Sequence, residues 1–189
     1  MALTKALSGL TPLRMRGGAP YNGGMNSYTV SNGYDANIFS GDVVHLSGGY
    51  VRVVSVSTDY ALGVFAGCKY VDPTTKKLVI SPYFPANTSA VTGVEALVVD
   101  DPNVTFMVQA DATVSIGDLG AANYEVTMGA GSTFTGKSGF GVKVASRGTT
   151  TKLLRPIAVV PLPGNAQGDV NPVLEVVIAQ HAHNRVSAA

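Results

Sequence analysis

Two adjacent carboxylates are the groups in this chain best suited to acid–base chemistry. Asp100 and Asp101 could act as the paired carboxyl groups of a hydrolase, which needs two such groups with separated pKa values. Neighbouring residues of a strand point to opposite faces, however, and Pro102-Asn103 follows the pair, so a turn is the better interpretation. The catalytic alternative would need Asp111 or Glu95 nearby, which spacing alone does not establish.

His181 and His183 are the only clustered histidines. On an extended segment, their i, i+2 spacing places both rings on one face, as some metal sites require. Two ligands do not complete a site, and the third histidine, His45, lies far away in sequence. A polar tail leaving the last strand explains the pair better than a metal centre does, and we expect no metal or other cofactor.

Cys68 is the only cysteine, which rules out an intramolecular disulfide and suits a reducing compartment. With His45 or His181 it could form a nucleophile–base pair. Because it lies between Gly67 and Lys69 within an apolar strand, we favour a structural role, since free cysteine is often buried as a small hydrophobe.

Glycine-rich and aromatic residues offer two further chemistries. The segments beginning at Gly129 and Gly136 resemble phosphate loops but lack the GxxxxGK spacing between a strand and a helix, so flexible turns explain them better. Aromatic side chains could line a base- or sugar-stacking surface, but Arg and Lys do not interleave with them, so core or interface packing is preferred. These aromatics are Tyr50, Tyr60, Tyr70, Tyr83, Phe84 and Tyr124.

Composition narrows the class of protein. The 189 residues carry a net charge of +1, and 13% of them are charged. This composition disfavours both the basic stripe of a nucleic-acid binder and an acidic solvating tail. The N-terminal sequence has no signal-peptide core, and no run approaches the roughly 18 apolar residues of a membrane span. We therefore expect no nucleic-acid partner and no membrane association, with folding in the cytoplasm.

The elements that must position these residues are short strands. Abundant Gly, Val, Thr and Ser favour an all-β domain, either a β-barrel or a jelly-roll-like β-sandwich, of about ten or eleven strands. Three pairs of apolar runs flank turn residues and predict β-hairpins. The pairs are Val43–Leu46 with Tyr50–Val56, Leu62–Val71 with Leu78–Ile80, and Val94–Asp100 with Val104–Ala110.

The N-terminal segment differs from the rest of the chain. Residues 1–33 show no sustained period, and their apolar residues are scattered, so we predict an extended arm whose apolar anchors become ordered on another surface, or else a flexible terminus. Residues 34–189 would form the β domain. The prolines of Ser81–Pro85 exclude a central strand and predict an edge, bulge or packed loop.

Several motifs, taken in order along most of the chain, resemble the small β-rich decoration, or cement, proteins of tailed-bacteriophage capsids. The resemblance implies a structural virion protein that binds the outer surface of the head as a trimer at three-fold or quasi-three-fold positions and clamps neighbouring subunits of the major capsid protein. It implies no catalysis, no cofactor and no small-molecule substrate, and it implies synthesis in the host cytoplasm. The motifs are Gly41–Val44, Leu62–Cys68 with Tyr70–Asp72, Tyr83–Ala86, Val99–Asn103 and Asn171–His181.

If the resemblance holds, the arm and the proline-rich loop are the segments expected to contact the capsid. A receptor- or carbohydrate-binding β-module of a phage tail or fibre is the alternative function, although the absence of Trp weakens it. The candidate capsid-contact residues are Leu10, Pro12, Leu13, Arg14, Met15, Arg16, Tyr83 and Phe84.

Overall fold

The computed structural model describes residues 4–55, 60–72, 74–86 and 91–184, and it confirms the all-β prediction. In these ranges the helical elements are two short 3-10 turns, Ile116–Asp118 and Ala182–Asn184. The described residues form fourteen strands, more than expected, because several strands are too short to show a period in the sequence. They are β1 (Thr11–Met15), β2 (Asn26–Thr29), β3 (Ile38–Phe39), β4 (Val43–Ser47), β5 (Tyr50–Val53), β6 (Ala61–Val71), β7 (Leu78–Ser81), β8 (Tyr83–Phe84), β9 (Thr92–Val99), β10 (Val104–Gln109), β11 (Asn123–Gly129), β12 (Gly139–Gly148), β13 (Leu154–Val159) and β14 (Val173–Ile178).

The strands form two large antiparallel sheets and one small one. Sheet I has the order β1-β10-β14-β13-β11-β12. Sheet II has the order β2-β9-β6-β4-β5, with β7 also paired to β6, while β3 and β8 form a two-stranded ladder. A bridge between Ala110, just after β10, and Val142 of β12 draws distant parts of sheet I together, so this sheet is strongly curved.

Sheet II has a hydrophobic core on each face. The first core contains Phe106 and Tyr124 of sheet I together with Val64 of sheet II. The second contains Phe65 of sheet II and Phe84 of the small ladder. Because β6 is buried from both sides, its sequence is an almost continuous apolar run rather than an alternating one.

Gly63 marks a bulge in β6. Val44 of β4 pairs with Gly63, whereas the next residue, His45, pairs with Ala61. A Cβ atom at position 63 would lie 2.1 Å from the carbonyl oxygen of Val99. Only glycine therefore permits this close approach of β9 to β6.

Two of the three predicted hairpins are confirmed. β4 and β5 pair across Gly48 and Gly49, whose φ angles of 59° and 85° suit a tight hairpin turn. β6 and β7 pair as well, and the carboxylate of Asp72 accepts hydrogen bonds from the backbone N–H groups of Thr74 and Thr75 at the turn. Local turn chemistry was sufficient to identify both hairpins.

The third predicted hairpin is wrong. β9 pairs with β2 and β6 in sheet II, whereas β10 pairs with β1 and β14 in sheet I. The turn itself is present, since Asp101 Oδ1 accepts a hydrogen bond from the N–H of Asn103 at 2.8 Å. Turn residues fix a local change of direction but not the sheet that each flanking strand joins, and here the chain crosses between sheets.

The N-terminal segment departs from the expected free arm over its described residues. β1 pairs with β10 and β2 pairs with β9, so both strands belong to the large sheets. Leu10 lies in the first core, and Arg14 donates hydrogen bonds to both carboxylate oxygens of Glu175 at 2.8 and 2.7 Å. The sequence suggested an arm because β1 pairs with a strand about 90 positions away and β2 with a strand about 70 positions away.

Candidate functional site

Asp100 is a buried carboxylate at the point where the chain crosses between sheets. It accepts hydrogen bonds from Asn26 Nδ2 at 3.0 and 2.9 Å and from the hydroxyl of Tyr28, while His183 Nε2 lies 3.6 Å from its Oδ2 atom. Burial acts to raise the pKa of Asp100, but the hydrogen bonds from Tyr28 and Asn26 outweigh burial and hold this pKa below its ordinary value. Asp100 therefore fastens β2 to the end of β9, a role beyond the turn formation expected from sequence.

The other carboxylates considered for catalysis lie elsewhere. Asp111 accepts hydrogen bonds from the Thr127 hydroxyl at 2.9 Å and from the Val144 N–H at 2.8 Å. The length of β10, about 20 Å at 3.3 Å per residue, separates it from Asp100, whereas carboxyl pairs in glycosidases lie about 5–10 Å apart. Glu95 forms an ion pair with Lys69 at 2.8 Å. The structure does not bring these carboxylates together.

The two C-terminal histidines lie in the turn after β14. The backbone N–H of His183 donates to His181 Nδ1 at 3.2 Å, and the two ring centroids are 5.4 Å apart. Burial lowers the pKa of His181 to about 4, so this ring is neutral at pH 7. Within the described ranges, no group of three or more His, Cys, Asp or Glu side chains is arranged to hold a metal ion.

Cys68 is buried in the second core, as the sequence indicated. Burial raises the pKa of its thiol to about 12, and the thiol donates to the carbonyl oxygen of Tyr83 at 3.4 Å. His45 and His181 both lie beside Ala61, seven residues along β6 from Cys68. At about 3.3 Å per residue this places both imidazoles about 20 Å away, too far for a nucleophile–base pair.

The candidate capsid-contact residues fall into three environments. Leu10 and Phe84 are buried in the cores, so neither can touch a partner in this conformation. Pro12, Met15 and Tyr83 are half-buried, and Tyr83 stacks on Phe39. The exposed candidates are Leu13, Arg14 and Arg16, although the guanidinium of Arg14 is held by Glu175.

An apolar surface that the sequence did not reveal lies on β7. Ile80 is 77% exposed and Leu78 is 65% exposed, and Val71, which pairs with Leu78, is also exposed. Among the described strands, β7 pairs with β6 alone, so its outer backbone edge is available. We refer to Val71, Leu78 and Ile80 as the β7 surface. The run Leu78-Val79-Ile80 is apolar throughout, so its pattern could not show which side faces solvent.

No protein-family model, curated protein or solved structure matches this chain. Among the described residues, no helix has the length and apolar character that a membrane crossing requires.

Proposed function

We propose that this chain is a capsid decoration, or cement, protein that binds the outer surface of a tailed-bacteriophage head. The β7 surface is the observation that carries the proposal. Large apolar side chains at two successive outward positions of an edge strand cost solubility, and soluble proteins normally protect such edges. An exposed apolar edge of this kind is typical of a surface that a partner protein covers.

The ordered motifs that resemble phage decoration proteins support the same function. In this proposal the partner is the major capsid protein, and the β7 surface packs against it on the virion exterior. A homotrimer at a three-fold or quasi-three-fold position would engage several capsid subunits at once. Each later contact would then be intramolecular, so individually weak contacts would combine into firm attachment and stabilise the head.

Co-sedimentation with purified heads tests the proposal. The heads come from the phage that encodes the chain and are prepared without this protein. We compare the wild-type protein with the double variant Leu78→Thr/Ile80→Thr, because threonine keeps a high strand propensity while removing most of the apolar surface. The matched control is Ile116→Thr, which changes an equally exposed side chain in the turn before β11.

We expect the wild-type and control proteins to sediment with heads and the double variant to bind at least about tenfold more weakly, since two buried aliphatic side chains contribute a few kcal/mol. If the wild-type protein stays in the supernatant, the chain is not a decoration protein for these heads. If all three proteins bind equally, attachment does not use the β7 surface.

A further inference from the structure

Phe134 is the most exposed large hydrophobic residue in the described part of the chain, at 97%. It lies at the tip of the segment 130–138, which connects β11 to β12 and is called here the Phe134 loop. Backbone hydrogen bonds close this loop, from Gly136 N to Ser132 O at 2.7 Å and from Ser132 N to Lys137 O at 2.9 Å. The tip is therefore a compact turn with the ring of Phe134 projecting into solvent.

The base of the Phe134 loop is fixed to the domain. The N–H of Ser40 donates to Gly136 O at 3.0 Å, and the carbonyl of Ser40 accepts from Ser138 N at 2.9 Å. Gly136 packs so closely on Pro82 that a Cβ atom would lie 2.5 Å from the proline ring. Because the loop is held at both its tip and its base, binding through Phe134 would require little additional ordering.

An open recess of about 310 Å³ lies beside this loop. Its apolar lining comes from Phe39, Val53, Ala130 and Phe140, and the buried carboxylate of Asp42 also borders it. Pockets that hold small organic groups have volumes of roughly 300–1,000 Å³, so the recess can accept one phenyl ring. The same surface region thus carries a projecting ring and a recess of suitable size.

We propose that two copies of this chain associate by inserting Phe134 of one copy into the recess of the other. Because each copy carries both a projecting ring and a recess, it can insert its ring into one neighbour and receive the ring of another, a head-to-tail contact that can close into the trimer proposed above. Burying a fully exposed aromatic ring on a pre-formed loop would make Phe134 a dominant contributor to this interface. The association does not depend on capsid binding and would occur in the free protein.

Sedimentation velocity of the purified protein, over micromolar to millimolar concentrations, tests the insertion. Phe134→Ala removes the ring without disturbing packing in the monomer, because the side chain is exposed. Ala130→Leu fills the recess from its exposed rim and leaves Phe134 in place. Ile116→Ala is the control, and far-UV circular dichroism with thermal melting verifies that each variant is folded.

We expect the wild-type and control proteins to self-associate. Each of the two test variants should associate at least about thirtyfold more weakly. A mixture of the two variants should regain partial association as mixed pairs, because the ring of Ala130→Leu can enter the open recess of Phe134→Ala, although no ring can be inserted in return. A wild-type protein that stays monomeric at every concentration overturns the proposal. Unchanged association of either folded variant, or no recovery in the mixture, also overturns it.

Discussion

Replacing Leu10 by alanine tests whether the N-terminal segment is part of the folded domain. Leu10 is 2% exposed, packs in the first core, and donates its N–H to the carbonyl of Gly41 at 2.9 Å. Removing a buried leucine side chain costs about 2–5 kcal/mol, a large share of a typical stability of about 5–15 kcal/mol. A domain of this size loses about 2–4 °C of melting temperature per kcal/mol, so we expect a decrease of about 4–20 °C.

Leu13→Ala provides a matched control within the same segment. Leu13 lies on β1 at 36% exposure, so the same chemical change should cost less than about 1 kcal/mol. Urea unfolding can be followed by far-UV circular dichroism and tyrosine fluorescence, since the chain has eight Tyr and no Trp. Equally small losses for the two variants would refute the placement of Leu10 in the core.

Three further predictions concern buried positions of the domain. Gly63→Ala forces a Cβ atom against the Val99 carbonyl and should destabilise the protein by about 1–3 kcal/mol or more; an unchanged urea midpoint would contradict this. Burial raises the pKa of Cys68 to about 12. A disulfide reagent at pH 8 should therefore label the native thiol roughly a thousandfold more slowly than the thiol of the urea-unfolded protein. Equal labelling rates would show an accessible thiolate in the native protein. The pKa of His181 is about 4 in the folded protein and about 6.5 in the unfolded chain. As the pH falls, the unfolded chain therefore binds a proton first, and the free energy of unfolding should decrease from pH 7 to pH 5. His181→Gln should reduce this pH dependence in urea titrations, and an unaltered slope would exclude His181 as its source.

Features fixed by short-range chemistry could be predicted from the sequence. Gly48 and Gly49 supply the left-handed backbone that a two-residue hairpin needs, and Asp72 supplies an acceptor for turn N–H groups. The apolar run of β6 indicated a buried strand, and Cys68 followed as a core residue. In each case the sequence signal lies within a few consecutive residues of the chain.

Features fixed by long-range pairing could not be predicted. The turn at Asp101 occurs as expected, but whether β10 returns to the sheet of β9 depends on competition from β1 and β14, which no local pattern shows. The contact of Asp100 with His183 has the same origin. Phe134, set among Thr and Gly residues, has no sequence signal that distinguishes a projecting ring from a packed one.

The hydrogen bonds between Arg14 and Glu175 span 161 positions of sequence, so they can form only when nearly the whole chain has been synthesised. During synthesis, β1 and β10 emerge well before β14, which must lie next to β10 in sheet I. Until then, β10 has an unpaired edge and Arg14 lacks its carboxylate. We therefore expect sheet I to form only after nearly the whole chain has left the ribosome, with the slow folding typical of non-local β topologies. The newly made chain would be most prone to aggregate in that interval, when its strand edges are open.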